Sequence, residues 1–470
     1  MAERNTITEE LAHSASSLRY EDLGPATVAA AKGAILDQIG VMLVGPTVEW
    51  TRAGRELAIE GHCRPQAGIV GTPDRVSQLD AAMVNSMYGH CCEYDDSGYM
   101  GSAHPGALTV GPALSVAEAH GRSGRDFLTA VVAGYEVLYV LGRGMTRTLQ
   151  AMGYHPQSFI GTFGAATVAG WLLGLDEGQL THALSIAGSH SSGTQEFQQL
   201  GGDVKRFHSG MAARGGVASA LLAQKGMTGP ATIIEGDRGI GRLTARIDDD
   251  ELAEMLRVAR TPVTEFAVEK RMLKWYPAVG SSQTGIEAFH ILMRDHELDA
   301  DRISRVDVHI NPHAIPHGPE IDAIEDAVQA QFSLAYSIAV RALFGNNDIA
   351  HYLDPELWTD KRILDFGRRV TKIPEESYAS DKSAAGWARF WGARVQIVLD
   401  DGTVLEHEEQ YRKGSSLNPV TPEELRWKFD RLAVPALGAS VAAEVADLVA
   451  ELENLDNVND LVRLLQGAQR

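Results

Sequence analysis

Residues 89–106 read Gly-His-Cys-Cys-Glu-Tyr-Asp-Asp-Ser-Gly-Tyr-Met-Gly-Ser-Ala-His-Pro-Gly. Glu93, Asp95 and Asp96 stand near the start of this polar loop and His104 near its end, with apolar stretches on either side. Loops held by a rigid scaffold are where chemistry is usually mounted. A carboxylate beside an imidazole fixes its tautomer or raises its pKa, as a general acid or base near neutral pH requires. The same residues also suit a solvated acidic loop with a structural histidine, and this stretch by itself leaves both readings open.

Three further stretches carry reactive side chains. Gly153-Tyr154-His155-Pro156-Gln157-Ser158 offers a second imidazole, with Ser158 placed to cap the following helix. Asp203-Val204-Lys205-Arg206-Phe207-His208 comes immediately before a Gly/Ala-rich helix expected from Ser209. The positive end of a helix dipole disfavours cations there. Lys205, Arg206 and His208 together with the helix N-terminus would, however, make an anion cradle. Lys274-Trp275-Tyr276-Pro277 sets a lysine among aromatic rings, where it is either desolvated with a lowered pKa or extended to solvent. The plain alternatives are a structural histidine at 155 and a solvated turn at 203–208.

Other patterns point away from particular chemistries. His309, His313 and His317 recur every fourth residue, but Pro312 and Pro316 interrupt any helix that would align them, so no zinc site is expected. Gly142-Arg143-Gly144 lacks the third glycine and the preceding strand of a dinucleotide fingerprint. There is no P-loop, HExxH or Gly-x-Ser-x-Gly. A formal net charge of −20 argues against nucleic-acid or anionic-membrane partners, which need a concentrated basic face. Against that background a local Lys/His cluster stands out. Cys63, Cys91 and Cys92 cannot build a disulfide framework or a CxxC metal pattern, so a reducing compartment is expected. Cys91-Cys92 reads as buried packing at a helix end. No signal-peptide pattern is present, and the longest apolar run, about residues 161–175, is too short to span a bilayer. The expectation is a soluble, cytoplasmic protein.

At 470 residues the chain should hold two domains or three. Apolar residues at three- and four-residue spacing predict helices over 28–43, 107–120, 124–141, 158–173, 176–188, 212–226 and 248–259. Gly161, Gly164, Ala165, Ala166, Ala169 and Gly170 would let backbones approach closely. The texture then changes. Alternation predicts strands over 302–310 and 368–373, and a hairpin of 393–399 with 403–408 around Asp400-Asp401-Gly402. Residues 331–344 read as helix, and Thr421-Pro422-Glu423-Glu424 as a capping box opening a helical tail. The reading is a mainly α protein: an all-helical domain from 1–266 and 413–470, with a smaller α+β lid domain, 267–412, inserted before the C-terminal helices.

Five stretches in this order resemble the MmgE/PrpD family: Glu93 to Pro105, Gly153 to Pro156, Lys205 to Ala213, Lys274 to Pro277 and Phe332 to Tyr336. The resemblance covers nearly the whole chain. It implies a helical domain with an α+β lid, a homodimer, and a pocket between the domains that needs no metal or organic cofactor. By matching motif that pocket would be lined by Glu93, Asp96, Ser97, His104, His155, Lys205, Lys274 and Tyr336. Glu93 stands where relatives more often have Asp, and Ser97 where they often have Thr. Relatives also continue toward a Thr-His-Pro after the lysine, where this chain has Ser282-Gln283-Thr284-Gly285. Losing that cationizable group suggests a substrate with fewer or differently placed carboxylates.

The family's reactions make or protonate a carbanion-like centre next to a carboxylate, so fixed cations and donors must stabilise the charge. The expected roles are proton transfer by His104 and His155, and carboxylate binding by Lys205 and Lys274 with His208 and Ser97. Glu93 or Asp96 would orient an imidazole, and Tyr336 would donate to substrate. The first functional expectation is a hydro-lyase that dehydrates a small hydroxy-polycarboxylate of the 2-methylcitrate type. Alternatives are an epimerase of an imino- or amino-dicarboxylate, a cis-aconitate-type decarboxylase, and a non-catalytic polycarboxylate-binding protein.

Overall fold

A methyl group on Gly216 would lie 2.6 Å from the backbone oxygen of Thr162, and one on Gly164 would lie 2.7 Å from the Leu138 side chain. Helix Gly161–Leu173 therefore approaches helices Val204–Gln224 and Gly124–Ala151 more closely than any larger residue would allow. The structure is a computed structural model and describes residues 6–61, 63–98, 101, 103–197, 202–379 and 389–466. Tyr99, Met100 and Ser102 of the polar loop lie outside the described residues.

The chain is mainly helical and divides into two compact units. The first comprises Met1–Cys91, Asp95–Arg271 and Thr421–Arg470, the second Cys92–Tyr94 and Met272–Val420. The short piece Cys92–Tyr94 within the second unit has no signature in the sequence. Besides its helices the first unit holds a small antiparallel ladder, β1 (Ala67–Gly68) with β2 (Arg75–Val76).

Three helical expectations need correction. The helix expected from Ser209 begins at Val204, so Lys205 and His208 lie within its first turns rather than before it. The stretch from Ser158 breaks into Pro156–Phe159 and Gly161–Leu173. Ser158 caps neither, because its Oγ donates to the His155 carbonyl at 2.9 Å. Residues 331–344 likewise split into Ala327–Phe332 and Leu334–Phe344, where the Ser333 Oγ accepts from the Tyr336 N–H and starts a new helix.

The C-terminal helix Pro422–Leu437 opens with the expected capping box: Glu424 N–H donates to Thr421 Oγ1, and Thr421 N–H to the Glu424 carboxylate. Farther along, Lys428 Nζ pairs with Asp37 at 2.6 Å, both side chains almost fully buried. That pair ties the returning tail to helix Pro25–Val44 within the same unit. The stretches Pro25–Thr47 and Gly124–Ala151 are long and apolar enough to cross a membrane. Most of each is buried within the protein, as core helices are.

The second unit is built on a sheet of order β4 (Val370–Pro374), β3 (Ile303–Ile310), β5 (Ala393–Leu399) and β6 (Val404–Glu409). β3 runs parallel to β4 and antiparallel to β5, and β5 and β6 form the expected hairpin. Gly402 supplies the positive φ (84°) that its turn requires. Ala393, Val395, Ile397 and Leu399 alternate into the core, packed with helices Gln283–Asp295 and Leu334–Phe344.

Candidate active site

In the first unit two imidazoles come from facing helix ends. His90 caps the C-terminus of helix Gln78–Gly89, and His104 is the N-cap of helix Pro105–His120. Pro105 at the first helical position fits there because that N–H has no intrahelical acceptor. The two helices pack together, which brings the rings to 4.6 Å between centroids. Asp95 lies between them. Its Oδ2 is 2.7 Å from His90 Nδ1 and 3.2 Å from His104 Nδ1, the second a short charge contact rather than an aligned hydrogen bond.

His90 and Asp95 are fully buried, whereas His104 keeps 13% of its side-chain surface. Burial drives the His90 pKa well below its ordinary value; Asp95 opposes that shift, and the His104 and Lys205 charges add to it. His90 Nε2 is buried without a hydrogen bond among the described residues. His90 is not among the expected site residues, and Asp95, part of the loop's acidic string, is not in the expected pocket. The available signal was their five-residue spacing at the end of an apolar helix.

A second imidazole pair adjoins the first. His155 Nδ1 faces His208 Nδ1 at 2.9 Å, and the His155 ring lies 6.4 Å from that of His90. Phe197 packs edge-on against both rings of the pair. Burial lowers the pKa of His155 and of His208, and for His155 the neighbouring His90, His208, His104 and Arg206 add to it. Neutral imidazoles are bases, and lone pairs cannot bond each other, so one Nδ1 must carry a proton and the other accept it. Lys205, buried on the same helix as His208, completes the group.

Gln157, unnoticed in the sequence, holds the loops in register. Its Oε1 accepts from the His104 N–H at 2.6 Å, and its Nε2 donates to Ser209 Oγ at 2.7 Å.

The other expected residues fall elsewhere. Asp96 does not orient an imidazole: it accepts from the Gly106 N–H at 2.9 Å and from the Tyr135 hydroxyl at 2.7 Å, which fixes the loop to helix Gly124–Ala151. Burial raises its carboxyl pKa against those two hydrogen bonds. Ser97, which follows it, is partly exposed. Glu93, Lys274 and Tyr336 belong to the second unit. Glu93 has a left-handed backbone (φ 52°), and its carboxylate pairs with Lys274 Nζ at 2.9 Å, both side chains buried. Tyr336 is a core residue whose hydroxyl donates to the His351 carbonyl at 2.7 Å.

Gln283 makes four hydrogen bonds to the backbone around Lys274. Its Oε1 accepts from the Trp275 and Tyr276 N–H groups, and its Nε2 donates to the Tyr276 and Ala278 carbonyls, all between 2.8 and 3.0 Å. It therefore fixes the lysine loop by hydrogen bonding alone, with no charge.

His90, Asp95 and His104 are also the one group among the described residues that could hold a metal ion, with one ligand atom from each within 4.8 Å of the others. Two ligands about 2.0–2.1 Å from a tetrahedral zinc stand roughly 3.3 Å apart. At 2.7 Å the His90–Asp95 contact is a hydrogen bond rather than a pair of zinc ligands. His309, His313 and His317 do not gather. His309 lies on β3, His313 stacks on Phe390, and His317 Nδ1 meets Ser281 Oγ at 3.0 Å.

Two family models match the chain, the MmgE/PrpD N-terminal domain over residues 9–253 and the MmgE/PrpD C-terminal domain over residues 276–454. The chain belongs to the MmgE/PrpD family. Among its curated relatives are cis-aconitate decarboxylases. Two from Aspergillus terreus are 25% and 26% identical, each over 98% of this chain and 96% of its own length. Those from Mus musculus and Homo sapiens are each 24% identical over 98% of this chain, and over 94% and 95% of their own lengths. This MmgE/PrpD member thus resembles enzymes along its full length, and their names stand nearer to the decarboxylase alternative than to the dehydratase expected first.

Proposed function

We propose that this MmgE/PrpD protein is a lyase acting on a small unsaturated polycarboxylate, by decarboxylation of the cis-aconitate type. The observation that carries the reading is the group formed by His90 and His104 on Asp95 and the adjoining His155–His208 pair, with Lys205 close to His90. In such a decarboxylation the bond from carbon to a carboxylate breaks and CO₂ leaves. The electron pair stays behind, spread over the double bond toward a remaining carboxylate, and carbon then takes a proton from an imidazolium. Buried imidazoles that are neutral in the free protein become stronger bases when a polyanion enters, because opposite charge favours the protonated form. Binding would therefore load the acid that the second half of the reaction needs. Lys205 would hold a carboxylate and stabilise the developing charge.

Dehydration of a hydroxy-polycarboxylate is the second reading. The lowered pKa values of His90, His155 and His208 favour it, since a base in the free protein is suited to removing a proton next to a carboxylate. Proton NMR in heavy water with citrate, 2-methylcitrate, cis-aconitate and iminodisuccinate separates the cases. Loss of one carboxylate with deuterium on the neighbouring carbon supports decarboxylation. Loss of water with a new vinyl signal moves the assignment to dehydration. Deuterium wash-in without net change moves it to epimerisation, and binding without turnover leaves a carboxylate-binding protein.

A further inference from the structure

Arg412, in the α+β unit, is only 6% exposed. Among the described residues its side chain has no carboxylate partner or hydrogen bond, and its Nε is fully buried without an acceptor. Its guanidinium lies 5.4 Å from the centre of the Trp391 ring. Its terminal nitrogens press on the 3₁₀ turn Gly280–Ser282 that leads into helix Gln283–Asp295: a methyl group on Gly280 would lie 3.1 Å from both. Ser281 follows Gly280, and its hydroxyl meets His317 Nδ1 at 3.0 Å, with the His317 ring 6.2 Å from that of Trp391. Lys372 Nζ donates to the His317 carbonyl at 3.0 Å.

A buried guanidinium is normally matched by a carboxylate, because leaving the charge uncompensated costs several kcal/mol. Burial pulls the Arg412 pKa down to about 9, and no neighbouring charge restores it. The two described groups that lie against it are uncharged, the Gly280–Ser282 turn ahead of a thirteen-residue helix and the Trp391 ring, and the chain of contacts beyond Trp391 runs to His317, Ser281 and Lys372. Helix N-termini attract anions, and the planar guanidinium fork matches a carboxylate in two parallel hydrogen bonds. Trp391 adds a flat apolar wall beside it, suited to the carbon skeleton of an organic acid. Gln283, the first residue of that helix, carries no charge, so the Arg412 guanidinium supplies the charge beside the helix start.

We propose that Arg412, the turn Gly280–Ser282 leading into helix Gln283–Asp295 and Trp391 form a binding subsite for the carboxylate of a small organic acid.

The seven tryptophans allow a local readout. With 5-fluorotryptophan incorporated, the Trp391 resonance is assigned from W391F and followed by ¹⁹F NMR. Propane-1,2,3-tricarboxylate is titrated, with inorganic phosphate in a parallel arm. A saturable shift of the Trp391 signal with the tricarboxylate is expected, weakened at least about 30-fold in R412Q while the other resonances stay in place. R412K, which keeps the charge but loses the fork, should bind more weakly than the wild type, and it serves if R412Q does not fold. A Trp391 signal that ignores the tricarboxylate in the wild-type protein overturns the proposal. So does equal binding in R412K and the wild type, and saturation by phosphate alone. Because the signal reports this corner and not turnover, it is independent of the outcome of the NMR assay for the lyase.

Discussion

His155 and His208 meet nitrogen to nitrogen, Nδ1 facing Nδ1 at 2.9 Å, so the two rings hold opposite tautomers about a single proton. The ring that donates from Nδ1 keeps a lone pair on Nε2, and the ring that accepts carries its proton on Nε2. Two histidines of one residue type are thereby made different, one a ready base and the other a ready donor.

This pairing sets a pH dependence of stability. His90, His155 and His208 have native pKa values lowered by burial, below the unfolded value of 6.5. The unfolded chain therefore binds protons as pH falls past about 6.5 while the native state does not. Stability should be full above pH 6.5 and decline as pH drops toward the lowered native values. Denaturant unfolding at pH 7.5 and pH 5.5 tests this, and a flat profile would sink it. The variant with both His155→Gln and His208→Gln should show a shallower slope than the wild type.

Asp95 is a positioning residue for His104. Asp95→Asn keeps the shape and removes the charge that two imidazoles share. Turnover of the substrate identified by NMR should fall about 10²-fold or more, with the pH profile of kcat displaced to lower pH as the carboxylate stops raising the His90 pKa. A change confined to thermal stability, with kcat and its pH profile intact, would reduce Asp95 to a structural role.

Tyr135→Phe separates architecture from chemistry. It removes the hydroxyl that donates to Asp96 and leaves a buried carboxylate oxygen short of a donor. The expected loss is about 1–3 kcal/mol in chemical denaturation, with turnover per folded molecule unchanged. A large fall in kcat at unchanged stability would return Asp96 to the catalytic machinery.

Gln283→Leu should destabilise the α+β unit by about 2–3 kcal/mol, since the Trp275 and Tyr276 N–H groups lose their shared acceptor. Hydrogen exchange at those two amides reads the effect directly. Protection equal to wild type would show that the loop holds its shape without the glutamine.

Much of the architecture was legible from periodicity. The apolar spacing over 28–43 and 248–259, the alternation at 393–399 and the capping box at Thr421 are local signals, and the elements formed at those places depend on local geometry. The Thr-x-x-Glu box closes on itself within one turn, so the residues that decide it are neighbours in the chain. Helix ends were harder. The start at Val204 runs against the dipole preference for acidic residues, and packing of Lys205 and His208 into the interior overrides it.

The sequence by itself determined which reactive groups the chain carries, and the order of its motifs pointed to their family. It also determined where helix gives way to alternating strand. Only the tertiary structure decided which group meets which. Asp95 and Asp96 are adjacent and identical, yet one reaches the imidazoles and the other the Tyr135 hydroxyl. His90 joined the site through helix packing, whereas Tyr336 was taken into the core with its hydroxyl on a backbone carbonyl. A side chain's partner is fixed by the direction its backbone gives it and by what distant segments bring to that spot. Neither quantity is local, so neither can be read from a residue and its neighbours.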